Sequence, residues 1–298
     1  MNLHPLVNLC TLVNLRSLVA ASAALLLAPA ASATFVTFES AGANPAAITL
    51  TRDGFRTAVG GGTLGGANGS FGGLRREINW DGVPDARSDP NLLPADFFNV
   101  NSPRGVVFST PGTGFLVSAN AGLATPILFG FPGTFQTFSE QKLFTAVNSN
   151  ITDVRFFVPG TSFAATTSAF GAIFSDVDAI AQTRIEFFDE NNLLIFSRDA
   201  LVAGNRGLSF LGAVANAGER ISRVRLTSGS NTIVSNGVPG NPIFDLVVMD
   251  DFLYAEPQQF RAVPEPSSLA LVALGLMGCL ARYRQRRHGA GSKRQATE

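Results

Sequence analysis

The chain has 298 residues, and its 22 basic and 22 acidic side chains leave no formal net charge at neutral pH. Its two histidines, His4 and His288, and its two cysteines, Cys10 and Cys279, all lie near the ends. The long region between them therefore excludes Ser-His-Asp and Cys-His nucleophilic catalysis, ordinary zinc sites and disulfide bonds.

The first 33 residues have the pattern of a secretory signal peptide. Arg16 precedes the uncharged, alanine- and leucine-rich run 17–28. Ala31 and Ala33 follow in the small-x-small arrangement that signal peptidase cleaves, so we predict cleavage after Ala33. The alternative, a buried core helix, does not explain why small residues stand at the position of a cleavage site.

The middle of the chain, residues 34–262, is predicted to be one all-β domain. Short apolar or alternating runs are separated by Gly, Pro, Asn and Asp, and no run has helical spacing over a long window. This pattern favours a β-sandwich or jelly roll. The predicted strands are 35–38, 48–51, 105–109, 115–118, 142–146, 154–158, 169–176, 183–188, 193–198, 207–211, 221–227 and 244–254. Strands 183–188 and 193–198 are predicted to form a hairpin, because the four residues 189–192 between them, Asp-Glu-Asn-Asn, favour a turn.

A glycine-rich stretch occupies residues 58–73. It contains no Gly-Lys-Ser/Thr and no helix is predicted after it, so a phosphate-binding loop is excluded. We predict a flexible surface loop.

A second irregular stretch, residues 76–98, contains a candidate ligand-binding group. Loops of this length are often functional. Trp80 can stack on a sugar ring, and Asp81 or Asp85 can accept hydrogen bonds from sugar hydroxyls. The alternative is that Trp80 packs in the core with the phenylalanines.

Two aspartate pairs are candidate metal ligands. Asp176 and Asp178 close one predicted strand, and Asp250 and Asp251 lie within the last one. Because calcium binds carboxylate oxygens at strand ends and in loops, we predict a structural calcium ion at these four residues. The alternative is that they form turns or face solvent, since no ligand spacing as tight as that of an EF-hand is present.

The C-terminal segment combines a short motif, an uncharged run and a basic cluster. At about 1.5 Å rise per residue, run 269–281 is about 20 Å long as a helix, less than the roughly 30 Å of a bilayer core. The positive-inside rule keeps the basic cluster in the cytoplasm and places residues 34–262 on the outer side. The motif is Val263, Pro264, Glu265 and Pro266, and the cluster is Arg282, Arg284, Arg286 and Arg287.

This arrangement resembles the PEP-CTERM sorting signal of Gram-negative bacteria that secrete exopolysaccharide. The resemblance covers residues 263–288 and leaves 289–298 as a cytoplasmic tail. It implies recognition of the Pro-Glu-Pro motif by exosortase, a membrane-embedded protease, after transient anchoring in the inner membrane through a transmembrane helix. The alternative is a plain C-terminal anchor that is never cut.

The resemblance also has implications for the domain before the tail. Exported proteins of this kind carry domains that look like carbohydrate-binding β-sandwiches, which commonly hold one structural calcium. A tail of this type is also known as the C-terminal domain of ice-binding proteins. Ice binding is not expected here, because the chain has no flat array of regularly spaced threonines.

The charge and composition of the middle region limit its function. Residues 34–263 have 15 basic and 20 acidic side chains, a net charge of −5, so a nucleic-acid partner is not expected. We predict a non-enzymatic cell-surface, matrix or biofilm protein that binds exopolysaccharide or another matrix component, with no cofactor beyond calcium. The alternative is a secreted polysaccharide hydrolase that uses paired carboxylates, a mechanism that needs no histidine.

Overall fold

The structure is a computed structural model of the chain. It describes residues 34–119, 127–234, 244–260, 275–280 and 282. The predicted signal peptide, with its cleavage site at Ala31 and Ala33, lies outside the described residues, as does the Val263–Pro266 motif. Among the arginines of the basic cluster, Arg282 is described and is helical, as are residues 275–280.

Between residues 34 and 260, the regular structure of the described part of the chain consists of strands, two α-helices and three short 3₁₀ helices. The α-helices are α1 (Pro45–Val59) and the short α2 (Phe97–Val100). The strands are β1 (Phe35–Gly42), β2 (Ser70–Phe71), β3 (Arg75–Ile78), β4 (Val106–Ser109), β5 (Gly114–Val117), β6 (Phe144–Val147), β7 (Ile151–Phe156), β8 (Ala165–Thr166), β9 (Ala169–Ser175), β10 (Arg184–Phe188), β11 (Leu194–Asp199), β12 (Leu208–Ala215), β13 (Arg223–Thr227), β14 (Val248–Ala255) and β15 (Gln258–Gln259).

Two antiparallel sheets contain most of these strands. Within the described residues, the larger sheet has eight strands in the order β1-β12-β9-β14-β3-β2, with β6 also pairing β14 and β5 pairing β6. The smaller sheet has five strands in the order β11-β10-β13-β7-β4. The prediction of an all-β domain is confirmed as far as its β-rich character, and the sheets are antiparallel. The predicted hairpin forms as β10 and β11, with Arg184 opposite Asp199.

Side chains from both sheets meet in one hydrophobic core. Phe156 of β7, in the smaller sheet, lies 6.4 Å from Phe170 of β9 and 5.8 Å from Tyr254 of β14, measured between ring centroids. Phe35 of β1 contacts Phe187 of β10 at 5.5 Å. The core therefore joins the two sheets. The more specific assignment to a β-sandwich or jelly roll stays a prediction.

Helix α1 corrects the prediction of a strand at 48–51. The Asn44 side chain caps its first turn by accepting a hydrogen bond from the Ala47 N–H at 3.3 Å. The run Ile-Thr-Leu-Thr alternates as a strand would, with Ile48 and Leu50 on the same side. In the helix these two residues point apart, so Ile48 is 0% exposed and Leu50 is 85% exposed.

The buried stripe of α1 follows helical spacing and packs on the larger sheet. Ile48, Arg52 and Phe55 are its buried residues, at the i, i+4, i+7 positions of one helix face. The Phe55 ring packs edge-on against Phe38 of β1 and Phe210 of β12, at 5.9 and 5.7 Å. This helical pattern consists of only three residues, one of them an arginine, so in the sequence the strand-like alternation of residues 48–51 is the more visible signal.

Candidate functional site

Three aspartates converge beside the end of β9. Asp176 and Asp178 follow this strand and Asp245 precedes β14, and one carboxylate oxygen of each lies within 4.8 Å of the others. The Asp245 carboxylate accepts hydrogen bonds from the N–H groups of Asp178 and Ala179, both at 3.3 Å. Sequence reasoning missed Asp245, whose only signal was its place just inside the last predicted strand.

Burial and mutual repulsion disfavour three negative charges in this aspartate cluster. Burial raises the pKa of Asp176 to about 7, and the negative charges of Asp178 and Asp245 raise this pKa as well. The Arg206 N–H donates to Asp176 Oδ1 at 2.8 Å, and this hydrogen bond lowers the pKa. Burial also raises the pKa values of Asp178 and Asp245. A divalent cation between the three carboxylates would remove their mutual repulsion.

The space beside the cluster is a cavity of about 510 Å³. Asn205 and Asn231 line it and can contribute side-chain oxygens, which calcium accepts as ligands together with carboxylates. The side chains of Phe131 and Phe244 form its apolar part. The three aspartates and these amides therefore form an oxygen-rich site that fits calcium.

Asp250 and Asp251, the other two predicted calcium ligands, lie elsewhere. They sit in β14 where the register shifts between Met249 and Phe252, an irregularity that turns both side chains toward one serine. The Ser139 hydroxyl is 3.1 Å from Asp250 Oδ1 and 2.7 Å from Asp251 Oδ1. Burial raises the pKa of both carboxyls, most of all that of Asp250. The structure thus divides the four predicted ligands between two places.

Trp80 is a core residue, which corrects its proposed role in stacking on a sugar. It is 1% exposed, and its ring lies parallel to that of Phe144 with centroids 4.0 Å apart. Its indole N–H donates to the Asp250 carbonyl at 2.7 Å. Phe98 and Phe252 pack edge-on against it. Neither ring face is open to a ligand, so the core-packing alternative describes this residue.

Asp81 and Asp85 contact the segment that carries a buried lysine. Asp81 Oδ1 accepts hydrogen bonds from the N–H groups of Gln141 and Lys142, the latter at 3.0 Å. The Lys142 side chain is fully buried, and its ammonium lies 3.4 Å from Asp85 Oδ1. In this structure both aspartates therefore anchor residues 141–142.

The glycine-rich stretch is tied to β3 by arginines. Arg75 is 1% exposed, and its guanidinium donates to the carbonyls of Gly60 and Gly62, the latter at 2.9 Å. Arg76 donates to the Asn68 carbonyl at 3.1 Å. The predicted surface loop is therefore held in place by hydrogen bonds to its backbone.

A second cavity, of about 480 Å³, lies between α1, the glycine-rich stretch and β3. We refer to it as the arginine pocket, because three arginines and two acidic residues are among its lining side chains. These are Arg52, Arg56, Arg104, Glu77 and Asp251. No sequence motif marks it, since its members come from distant parts of the chain.

Comparison with known proteins identifies one region. Residues 262–287 match the family model of the PEP-CTERM protein-sorting motif. This match implies export, exosortase as the processing partner, and a surface or extracellular destination. No curated protein and no solved structure is detectably similar to the chain. Among the described residues, no helix is long and apolar enough to cross a membrane.

Proposed function

We propose that this chain, which carries the PEP-CTERM protein-sorting motif, is a non-enzymatic protein of the cell surface or extracellular matrix. Its β-rich domain would bind exopolysaccharide or another matrix component. The observation that carries the proposal is the sorting motif at 262–287, placed directly after a domain whose sequence has neither histidine nor cysteine.

The proposed route begins with removal of residues 1–33 by signal peptidase. The apolar run 269–281 then anchors the chain in the inner membrane, with the arginine cluster inside. Exosortase cuts near the Pro-Glu-Pro motif and releases the domain. A short apolar run is adequate for this purpose because it holds the chain only until the cut.

Mass spectrometry of the secreted protein tests this route. We expect a mature N-terminus at Thr34 and a C-terminus upstream of the arginine cluster. Replacing Pro264, Glu265 and Pro266 together by alanine should keep the chain in the membrane fraction. A secreted form that still carries Arg287 would contradict processing and support the uncut anchor.

We also propose that the aspartate cluster binds a structural calcium ion. The support is the convergence of Asp176, Asp178 and Asp245 beside two asparagines in an open cavity. The ion would join the chain just after β9 to the chain just before β14. Such a cross-link stabilises a folded domain because the unfolded chain cannot assemble the same ligands.

A secreted hydrolase remains the second candidate, and one observation favours it. Glu77 and Asp251 both line the arginine pocket, and burial raises the pKa of Asp251 as a general acid requires. Incubating the secreted domain with polysaccharides and assaying for new reducing ends separates the two. Binding without product supports the matrix protein, whereas product that disappears in Asp251→Asn supports the hydrolase.

A further inference from the structure

We propose that the arginine pocket binds the carboxylate of an acidic saccharide, and that Arg52 is the residue that receives it. This inference rests on the proposed function, because it names the class of polysaccharide that the domain would recognise. Four observations carry it: the bonding of Arg52, the engagement of its neighbours, the charge of the lining, and the size of the cavity.

Arg52 is a buried cation with an incomplete set of partners. It is 8% exposed, and its guanidinium lies over the Phe138 ring at 4.6 Å. Its Nε has no hydrogen-bond partner among the described residues, although Asp53 Oδ1 is 2.8 Å away. Its Nη1 lies 4.0 Å from Asp251 Oδ2, which is too far for a hydrogen bond.

A buried charge without good hydrogen bonds is unfavourable. An anion that entered the pocket could accept hydrogen bonds from the Nη atoms of Arg52, to which Asp251 is not hydrogen-bonded. A carboxylate suits this edge because its two oxygens match the planar fork of a guanidinium.

Arg56, the neighbouring arginine on α1, differs from Arg52 because its guanidinium already has a carboxylate partner. Arg56 holds Glu77 through two hydrogen bonds, Nε to Oε1 at 2.8 Å and Nη2 to Oε2 at 2.5 Å. Arg104 donates from Nη1 to the Glu77 carbonyl at 2.7 Å, and its buried Nε has no hydrogen-bond partner in the part of the chain that the structure describes. Both carboxylate oxygens of Glu77 thus accept from Arg56, and among the described residues Glu77 accepts no hydrogen bond from Arg52.

The lining has a positive balance. Three arginines line the cavity against Glu77 and Asp251, while Asp53, outside the lining, lies 2.8 Å from Arg52 Nε and 3.3 Å from Arg56 Nη1. On a domain of net charge −5, three arginines around one cavity are a local feature that would attract an anion against the overall charge.

The remaining lining suits a hydroxylated ligand. Asp251 and the exposed Asn79 also line the cavity and can pair with hydroxyl groups. The volume of about 480 Å³ falls within the roughly 300–1,000 Å³ of small-molecule pockets. A uronic acid residue combines one carboxylate with several hydroxyls, so it fits all of these groups.

Titration calorimetry on the processed, secreted chain tests the inference, with trigalacturonic acid as the probe. The comparison ligands are the neutral trigalactose, galactose 6-phosphate and acetate. We expect the acidic trisaccharide to bind about tenfold or more tightly than the neutral one, and to weaken as salt is raised. Binding of the sugar phosphate alone would overturn the choice of a carboxylate.

Arg52→Gln should weaken binding of the acidic trisaccharide about tenfold or more and leave any binding of the neutral one unchanged. The matched control is Arg198→Gln, which removes a surface arginine paired with Glu39. If Arg52→Gln does not fold, Asn79→Asp replaces it, because it adds a repelling carboxylate at the exposed rim. Unchanged affinity in the folded variant refutes the inference.

The outcomes also separate this inference from the proposed function. Equal binding of acidic and neutral polysaccharides contradicts the role of Arg52 but supports a matrix-binding protein. No binding of any polysaccharide by the secreted domain contradicts both.

Discussion

Trp80 and Phe144 stack with their ring planes parallel and their centroids 4.0 Å apart. Trp80 comes from the chain just after β3, and Phe144 opens β6, so the contact links the irregular stretch 76–98 to the larger sheet. The indole N–H also donates to the carbonyl of Asp250 in β14. This residue therefore acts as a structural anchor for the stretch that had looked like a ligand loop.

Shortening Trp80 should destabilise the domain strongly. Trp80→Ala removes the stacking and leaves a cavity, which costs about 3–5 kcal/mol of unfolding free energy. Trp80→Phe leaves the Asp250 carbonyl without its donor, at a cost of about 1–3 kcal/mol. Urea unfolding of the secreted domain measures both. Phe163→Ala, at a ring that is 59% exposed, is the control and should stay within about 0.5 kcal/mol.

The hydrogen bonds of the buried Lys142 ammonium should contribute more to the stability of the domain than its ion pair with Asp85. Its ammonium donates to the Val83 carbonyl at 2.6 Å and to Ser88 Oγ at 2.9 Å. Lys142→Met leaves both buried acceptors short of a donor, so we expect a loss of about 2–4 kcal/mol in urea unfolding. Asp85→Asn should cost less than about 1 kcal/mol, because the Asp85 side chain is 52% exposed. Equal losses in the two variants would show that the ion pair dominates.

Two glycines of the same conformation should respond differently to alanine. Gly69 has φ of 64° and Gly73 has φ of 69°. A Cβ at Gly69 would lie 2.3 Å from the Glu77 carbonyl oxygen, whereas one at Gly73 meets nothing within 4 Å. Gly73→Ala should cost about 1–2 kcal/mol for the left-handed backbone alone. Gly69→Ala should lower the urea midpoint further, and an equal shift would argue against the close approach.

Calcium should stabilise the domain through the aspartate cluster. At a hundredfold excess over its dissociation constant, calcium would add about 2.7 kcal/mol to the unfolding free energy. Thermal melting with calcium and with chelator measures this shift. Asp245→Asn should abolish it, whereas Asp250→Asn should keep it because Asp250 lies outside the cluster. Identical melting temperatures with calcium and chelator would refute the calcium site.

The pH dependence of the domain's stability should reflect the titration of Asp176. Its pKa rises to about 7 in the folded domain, from an ordinary value near 3.8, so the folded state holds a proton that the unfolded chain has released. Without calcium, this residue therefore makes stability fall as pH rises from about 4 to about 7. Asp176→Asn should flatten the fall in urea unfolding measured across that range. An unchanged slope would mean that Asp176 titrates normally.

Several properties follow from local sequence alone. The sorting motif was predicted because its features stand in order within 26 residues, and the family match covers 262–287. The hairpin of β10 and β11 is predicted because four polar residues, 189–192, join the predicted strands 183–188 and 193–198, so pairing requires no distant partner. The β-rich character follows likewise from short apolar runs between turn residues.

The tertiary structure decided what depends on distant partners. Ile48 to Thr51 suits a strand or a helix, and packing of Phe55 on the larger sheet selects the helix. The aspartate cluster joins Asp176 to Asp245, 69 positions later in the chain. The sequence by itself determined the sorting signal and the β-rich character, because both are encoded by neighbouring residues. Only the tertiary structure buried Trp80 and brought Arg52 beside Asp251, because long-range packing determines which side chains share a cavity.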